Sequence, residues 1–169
     1  MELAISKPLE LEETPPILIT KEYDVELDDG RSVIHDICEV FDNTKTISFR
    51  VSGFGQHKWP VDCLFDLSVV MEQLPEILAK TRVHDYRFTL DFYEQGIQRQ
   101  IYFEDNKSDL VKLTCKSRLN WKPRPDKIIM RKRDVNATFS NLYLDFFKYG
   151  NNLCPNLINN ILLKEWFTI

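Results

Sequence analysis

Glycine is scarce in this chain, with five residues in 169, and that scarcity argues against an extended flexible linker. No apolar run approaches the roughly 18 residues that cross a bilayer, so no membrane-spanning helix is expected. The opening Met1-Glu-Leu-Ala-Ile-Ser-Lys-Pro8 lacks the charged-then-apolar plan of a secretory leader. A cytoplasmic location is the default that follows. The four cysteines, Cys38, Cys63, Cys115 and Cys154, are scattered without a Cys-x-x-Cys, which disfavours a structural zinc or a disulfide framework and predicts buried reduced thiols. The three histidines, His35, His57 and His84, form no His-x-x-x-His, and His57 and Cys63 stand six apart across a proline, a poor chelate. No Gly-x-Ser-x-Gly elbow is present. No metal or other cofactor is expected, and no sequence motif spells out an enzyme.

What is present is an ordinary globular composition, 43% hydrophobic and 28% charged, of a length suited to one domain with a real core. The net charge of −4 conceals a strong asymmetry. Residues 1–31 carry nine acidic and three basic side chains, whereas residues 107–133 carry ten basic and two acidic ones. Such polarity fits a dipolar surface or a partner-binding face.

The clearest pattern is a hairpin over Phe88–Phe103. Phe88, Leu90 and Phe92 alternate with polar residues, as do Ile101 and Phe103 after Glu94-Gln-Gly96. An even loop places Leu90 opposite Ile101 and Phe88 opposite Phe103, with every apolar residue on one face. A three-residue loop would mix the faces. Upstream, Asp28-Asp-Gly30 reads as a hairpin turn between a strand near residues 19–27 and another near Ser32–Phe41. A third strand follows at Thr46–Gly53, with Ile47, Phe49 and Val51 inward and Val40 meeting Ile47. Asp66 reads as the cap of a helix bearing Leu67, Val70, Met71, Leu74 and Leu78, which Pro75 should kink or break. A sixth strand carries Val111, Leu113 and Cys115 inward, and the two prolines in Asn120–Asp126 demand a loop. A helix capped by Asp134 and ended at Gly150 comes next, then a last helix starting at Pro155. The predicted fold is α+β: about six mainly antiparallel strands in one sheet, one internal helix, and two C-terminal helices packed on the sheet. Residues 1–16 are expected to be an irregular N-terminal arm and 17–169 a single domain.

Four features invite a functional reading. Gly53-Phe-Gly55 is a fragment of a phosphate loop, but it has no third glycine and no Lys-Ser/Thr, so a loop leading into a helix is the plainer reading. Asp91 and Glu94 near the hairpin tip would suit the acid/base pair of a small hydrolase, or simply a solvated sheet face and turn. The basic segment 107–133, with Lys127-Ile-Ile-Met-Arg-Lys-Arg133 and Trp121, would suit a nucleic-acid-binding module or a cationic helix flank. Asp24, Glu26 and Asp28 would share one strand face, with Tyr23, Val25 and Leu27 on the other and Asp29 just beyond. That set would serve either as a contact surface or as a solvated edge that deters strand aggregation.

Several short motifs bear on the choice: Phe49-Arg-Val-Ser-Gly-Phe-Gly55 with Trp59-Pro-Val61, Asp66-Leu67 with Met71-Glu-Gln-Leu-Pro75, Asp91-Phe-Tyr-Glu-Gln-Gly96 with Arg99, and Phe147 with Leu153-Cys-Pro155 and Trp166. Together they resemble a bacterial domain family of the kind encoded beside polymorphic or contact-dependent growth-inhibition toxins. The resemblance covers roughly residues 45–167. It implies an immunity protein, a small cytoplasmic inhibitor that binds the C-terminal domain of one cognate toxin, often a basic nuclease, without catalysis or cofactor. No catalytic residues come with it. An acidic surface complementary to a basic toxin is then expected at Asp24, Glu26, Asp28 and Asp29.

Overall fold

A computed structural model describes residues 1–6, 15–24, 26–94 and 96–168. Among the described residues there are six strands and five α-helices, in the order β1 (Glu2–Ser6), α1 (Gly30–Thr44), β2 (Ser48–Ser52), α2 (Ser68–Arg82), β3 (Phe88–Phe92), β4 (Arg99–Asp105), β5 (Leu110–Ser117), β6 (Lys127–Arg131), α3 (Lys132–Leu153), α4 (Pro155–Ile158) and α5 (Ile161–Trp166). A π-helical turn at Cys63–Leu67 leads directly into α2. The α+β class holds, but the strands divide between a two-stranded sheet, β1-β2, and a four-stranded antiparallel sheet in the order β3-β4-β5-β6. The single six-stranded sheet is therefore corrected.

The hairpin has the register that the alternation demands, with Phe88 opposite Phe103 and Leu90 opposite Ile101. Its inward residues pack against α3, where Phe139 meets Phe88 and Phe103 with ring centroids 5.8 and 5.7 Å apart. In β5, Val111, Leu113 and Cys115 are buried on that same side. The opposite face turns outward. Thr89, Tyr102, Thr114 and Lys127 form one row across all four strands.

Three expectations upstream of this sheet fail for identifiable reasons. Ser32–Phe41 is not a strand: Val33, Ile34, Ile37, Cys38 and Phe41 are buried at helical spacing on α1. Asp29 accepts the Arg31 amide as N-cap, so Asp28-Asp-Gly30 opens a helix instead of turning a hairpin. Residues 15–24 carry no strand, and Val25 lies outside the described residues. They form a strap across α1, where buried Asp36 accepts hydrogen bonds from the Tyr23 hydroxyl and from Lys21. The pairing of Val40 with Ile47 goes with the lost strand.

The N-terminal arm is not irregular throughout. Glu2–Ser6 pairs antiparallel with β2 and buries Leu3 and Ile5; residues 7–14 of the expected arm lie outside the described residues. Helix α2 neither breaks nor ends at Pro75, which is buried among Met71, Leu74 and Ile77. That apolar face outweighs the hydrogen bond a helix-interior proline removes, roughly 3 kcal/mol. Lys127–Arg131 is an edge strand, not a helix flank. Arg131, not Asp134, is the N-cap residue of α3, and the helix runs past Gly150 to Leu153. Gly150 serves close packing: a Cβ there would stand 2.4 Å from Ile158 Cδ1. The expected last helix is two short ones, the second capped by Asn160.

Gly30 makes a similar close approach, since a Cβ would meet Trp166 Cβ at 2.2 Å, and that contact pins α5 to the start of α1. Gly96 has nothing within 4 Å of the same point. Gly30→Ala should destabilise the fold by about 1–3 kcal/mol through overpacking, read as a lower denaturant midpoint. Gly96→Ala should stay within about 0.5 kcal/mol of the parent. Equal midpoints for the two variants would contradict the packing argument.

Candidate functional site

The end of the four-stranded sheet at the β3–β4 tip is built around a buried cation. Arg99 occupies an inward position of β4, in line with Ile101 and Phe103, where alternation calls for an apolar residue. Its guanidinium carbon lies 4.3 Å from the ring centroid of Trp59 and 3.6 Å from that of Trp121. Nη1 donates to Gln56 Oε1 at 2.9 Å, while Nε is buried without a hydrogen-bond partner. Burial pulls the Arg99 pKa down, yet a guanidinium remains charged at any ordinary pH. Cation–π contact with desolvated rings, about 2 kcal/mol or more, offsets part of the desolvation.

Two loops deliver those rings. Trp59 is held by its amide on the Val51 carbonyl at 2.8 Å and by Nε1 on the Gly53 carbonyl at 3.2 Å. Gly53-Phe-Gly-Gln56 closes as a tight turn whose central residues, Phe54 and Gly55, both have positive φ (54° and 83°). A Cβ on Gly55 would sit 1.9 Å from the Arg124 carbonyl oxygen. The second glycine thus lets this turn dock on the 118–126 loop, where the Arg124 amide also donates to the Phe54 carbonyl. The docked loop brings Trp121 onto Arg99. The Gly-x-Gly is a packing device.

Beside this node lies an acidic cavity of about 400 Å³, lined by Asp62, Phe65, Asp66, Glu94 and Gly96. Asp62 caps the π-helical turn by accepting the amides of Phe65 and Asp66, and Asp66 Oδ2 accepts the Asp62 amide in return. This reciprocal pairing follows the logic of a capping box. Asp66 is only 4% exposed, and its Oδ1 has no partner. Burial chiefly, then the charges of Asp62 and Glu94, push its pKa up to about 6, against the pull of the Asp62 amide and of Arg99. Phe65 and Tyr93 stand exposed (48% and 45%) at this end of the molecule, with the Tyr93 hydroxyl donating to Glu72 at 2.7 Å. Arg31, clasped by Asp29, lies within electrostatic reach of Glu72 and Tyr93.

The other expected residues are distributed differently. Asp24, Glu26, Asp28 and Asp29 lie in a turn and cap, not on one strand face. Asp28 Oδ2 accepts the Asp24 amide, Asp24 Oδ1 accepts the Glu26 amide, and Asp29 is engaged by Arg31. Asp91 and Glu94 are not brought together as an acid/base pair. Asp91 sits on the outer sheet face, where its Oδ2 accepts from Gln100 and Arg118, whereas Glu94 lines the cavity. The basic segment also divides. Lys132 pairs with Asp105 and Arg133 with Asp134, while Lys112, Lys116, Lys127 and Arg131 lie on the outer face of the sheet. All four cysteines are free and buried, and burial raises their pKa values, that of Cys63 to about 11. Among the described residues no group of three His, Cys, Asp or Glu side chains is placed to hold a metal ion, and no helix is long and apolar enough to cross a membrane. Sequence reasoning missed the buried Asp66 and the Arg99 stack. The one available signal was a charged residue at an inward position of an alternating strand.

A carboxyl whose pKa is raised in the folded state is stabilised there as the neutral acid. The cost of ionising Asp66 is absent below its unfolded value of 3.8 and complete above about 6. Relative to Asp66→Asn, the parent should therefore lose roughly 3 kcal/mol of stability as the pH rises from about 4 to 7. Denaturant titrations of both proteins across that range test this, and a pH-independent difference would refute it.

Comparison of the chain with protein-family models, with curated proteins and with solved structures found no match.

Proposed function

We propose that this protein is an inhibitor of the immunity type, which binds one cognate toxin domain through the acidic, aromatic-studded end of its fold. The observation that supports this reading best is the setting of Phe65 and Tyr93. Both are exposed large rings placed among the carboxylates of Asp62, Glu72 and Glu94, and Arg31, which Asp29 clasps, lies within electrostatic reach of Glu72 and Tyr93. Aromatic residues, tyrosine above all, are enriched among the anchors of protein interfaces, with polar groups at the rim. A negative surround also speeds encounter with a basic partner such as a nuclease. The motif resemblance agrees with this reading. Several residues that carry it, Gly55, Trp59, Asp66, Tyr93, Glu94 and Arg99, build this end of the molecule.

Reversing charge at Asp24 and Glu26, both exposed and outside the core, should slow association with the toxin domain encoded beside this gene by about tenfold or more and flatten its salt dependence. Thermal unfolding should not change. A doubly reversed protein that associates at the parental rate overturns the role of this turn.

The outer sheet face supports a second reading, binding of single-stranded nucleic acid. Tyr102 lies at its centre with the Lys116 ammonium 4.9 Å from the ring centroid, Arg87 lines the same pocket, and Lys127 and Arg131 stand farther out on the edge strand β6. A ring among unpaired cations can stack a base and hold its phosphates. On this reading a fluorescent single-stranded oligonucleotide binds at low salt, and Arg131→Glu with Lys116→Glu abolishes binding. No anisotropy change at about 20 mM salt removes the reading.

A further inference from the structure

We infer that the free edge of β6 is a docking site for an extended segment of a partner protein, which adds to the four-stranded sheet as an antiparallel fifth strand and carries a carboxylate at each end of a short apolar run. The inference does not rest on the inhibitor reading. The two edges of this sheet are finished differently. On β3, the Gln73 side chain of α2 stands in for a neighbouring strand: its Oε1 accepts the Asp91 amide at 2.9 Å and its Nε2 donates to the Asp91 carbonyl at 2.8 Å. Lys80 donates to the carbonyl of Arg87, the residue before β3, at 3.1 Å. The edge of β6 has no such cover among the described residues. Its ladder to β5 is fixed by the Cys115 amide on the Asp126 carbonyl and the Lys132 amide on the Asp109 carbonyl, with Leu113 opposite Ile128 and Val111 opposite Met130. Hydrogen-bonded pairs alternate along an antiparallel ladder. Ile128 and Met130 therefore bond to β5, while Lys127, Ile129 and Arg131 turn their amides away from it. Among the described residues no hydrogen bond reaches those three amides, nor the Lys127 and Ile129 carbonyls.

The side chains define what the edge accepts. Ile129 is 51% exposed on the outer face, between the exposed Lys127 and Arg131. On the inner face, Ile128 and Met130 are only partly buried against the core. An open edge with three consecutive apolar side chains is a template for an added strand, whose backbone supplies affinity and whose alternate side chains supply specificity. Among the described residues neither Lys127 nor Arg131 has an ion pair. Those two cations oppose pairing with a second copy of the chain. In the one register that pairs two β6 strands along their full length, Lys127 of each copy stands opposite Arg131 of the other, and like charges directly opposite are destabilising. The same cations favour carboxylates at the facing positions. A complementary strand therefore reads acid, apolar, central, apolar, acid. Its acids and central residue share the outer face with Lys127, Ile129 and Arg131, and its two apolar residues lie beside Ile128 and Met130. A nucleic-acid strand would meet the cations, but it offers no donors at strand spacing to the Lys127 and Ile129 carbonyls.

The test uses the full chain and, at millimolar concentration, the peptide acetyl-Ser-Glu-Val-Thr-Val-Glu-Ser-amide, followed by amide NMR and hydrogen exchange. In the free protein the Ile128 and Met130 amides should exchange slowly and those of Lys127, Ile129 and Arg131 fast. Saturating peptide should slow exchange at the last three by about tenfold or more. Methylating the threonine nitrogen of the peptide, which faces the Ile129 carbonyl, should abolish binding. Methylating either valine nitrogen, which points away from β6, should leave binding unchanged. Ile129→Pro removes an outward amide without touching the ladder to β5, a placement that edge strands accept. This variant should keep Ile128 and Met130 protected and fail to bind. Lys127→Glu, at an exposed position, should bind the peptide about threefold more weakly or worse. No binding of the parent peptide, binding that tolerates the threonine methyl group, or binding that survives in Ile129→Pro overturns the inference. Protection of Lys127, Ile129 and Arg131 already in the free protein overturns it too, and protection that grows with protein concentration assigns the edge to a second copy. A response of these amides to a single-stranded oligonucleotide, with none to the peptide, overturns it in favour of nucleic acid.

Discussion

A guanidinium group held between two indole rings organises one whole end of this protein. Arg99 enters the core from β4, Trp59 comes from the turn after β2, and Trp121 from the loop between β5 and β6. None of these segments is adjacent to another in sequence, so the stack fastens two loops to the sheet at once. A buried charge without compensation would cost several kcal/mol, which makes the position of each ring a condition for the others. The rest follows by attachment. The 53–56 turn must carry glycine to approach Arg124, and Phe92 packs against Trp59 with centroids 5.5 Å apart. The hairpin tip that bears Tyr93, Glu94 and Gly96 is thereby fixed over the π-helical turn.

Two buried carboxylates in this fold have opposite surroundings. Asp36 receives the Tyr23 hydroxyl and the Lys21 ammonium and so ties the 15–24 strap to α1. Asp66 receives one backbone amide, and its second oxygen has no partner within the protein. The first is a structural clasp whose polar demands are met from within the chain. The second has one oxygen without a partner in the protein, as do Asp91 Oδ1, Arg99 Nε and Trp166 Nε1, so burial and its acidic neighbours raise its pKa instead of holding it as a clasp. Charge is sorted on the same scale: acids gather around the hairpin tip and the Asp24–Asp29 turn, and bases on the outer face of the sheet.

The sequence was most informative where one face of an element decides everything. The β3–β4 register followed from Phe88, Leu90, Ile101 and Phe103 alone, because a slip of one residue would have put the first pair and the second on opposite faces. The β5 pattern and the 120–126 loop were legible for the same kind of reason. It misled where two periods compete. Ser32–Phe41 contains Val33, Ile34, Ile37 and Val40, β-branched residues that favour strands, directly after an Asp-Gly pair. The deciding evidence was the spacing of Val33, Ile37 and Phe41, together with a cap at Asp29 that uses the same Asp-Gly differently. The β1 strand gave too short a signal, two inward residues before a proline.

Composition, charge asymmetry and local alternation were thus set by the sequence on its own, since they depend on neighbours within a few residues. The α+β class and the hairpin followed from them. The division into two sheets, the burial of Arg99 and the isolation of Asp66 were decided only by tertiary structure. Each depends on segments dozens of residues apart meeting at one point, and whether a charged side chain ends solvated, clasped or stranded is a property of that meeting, not of the residue.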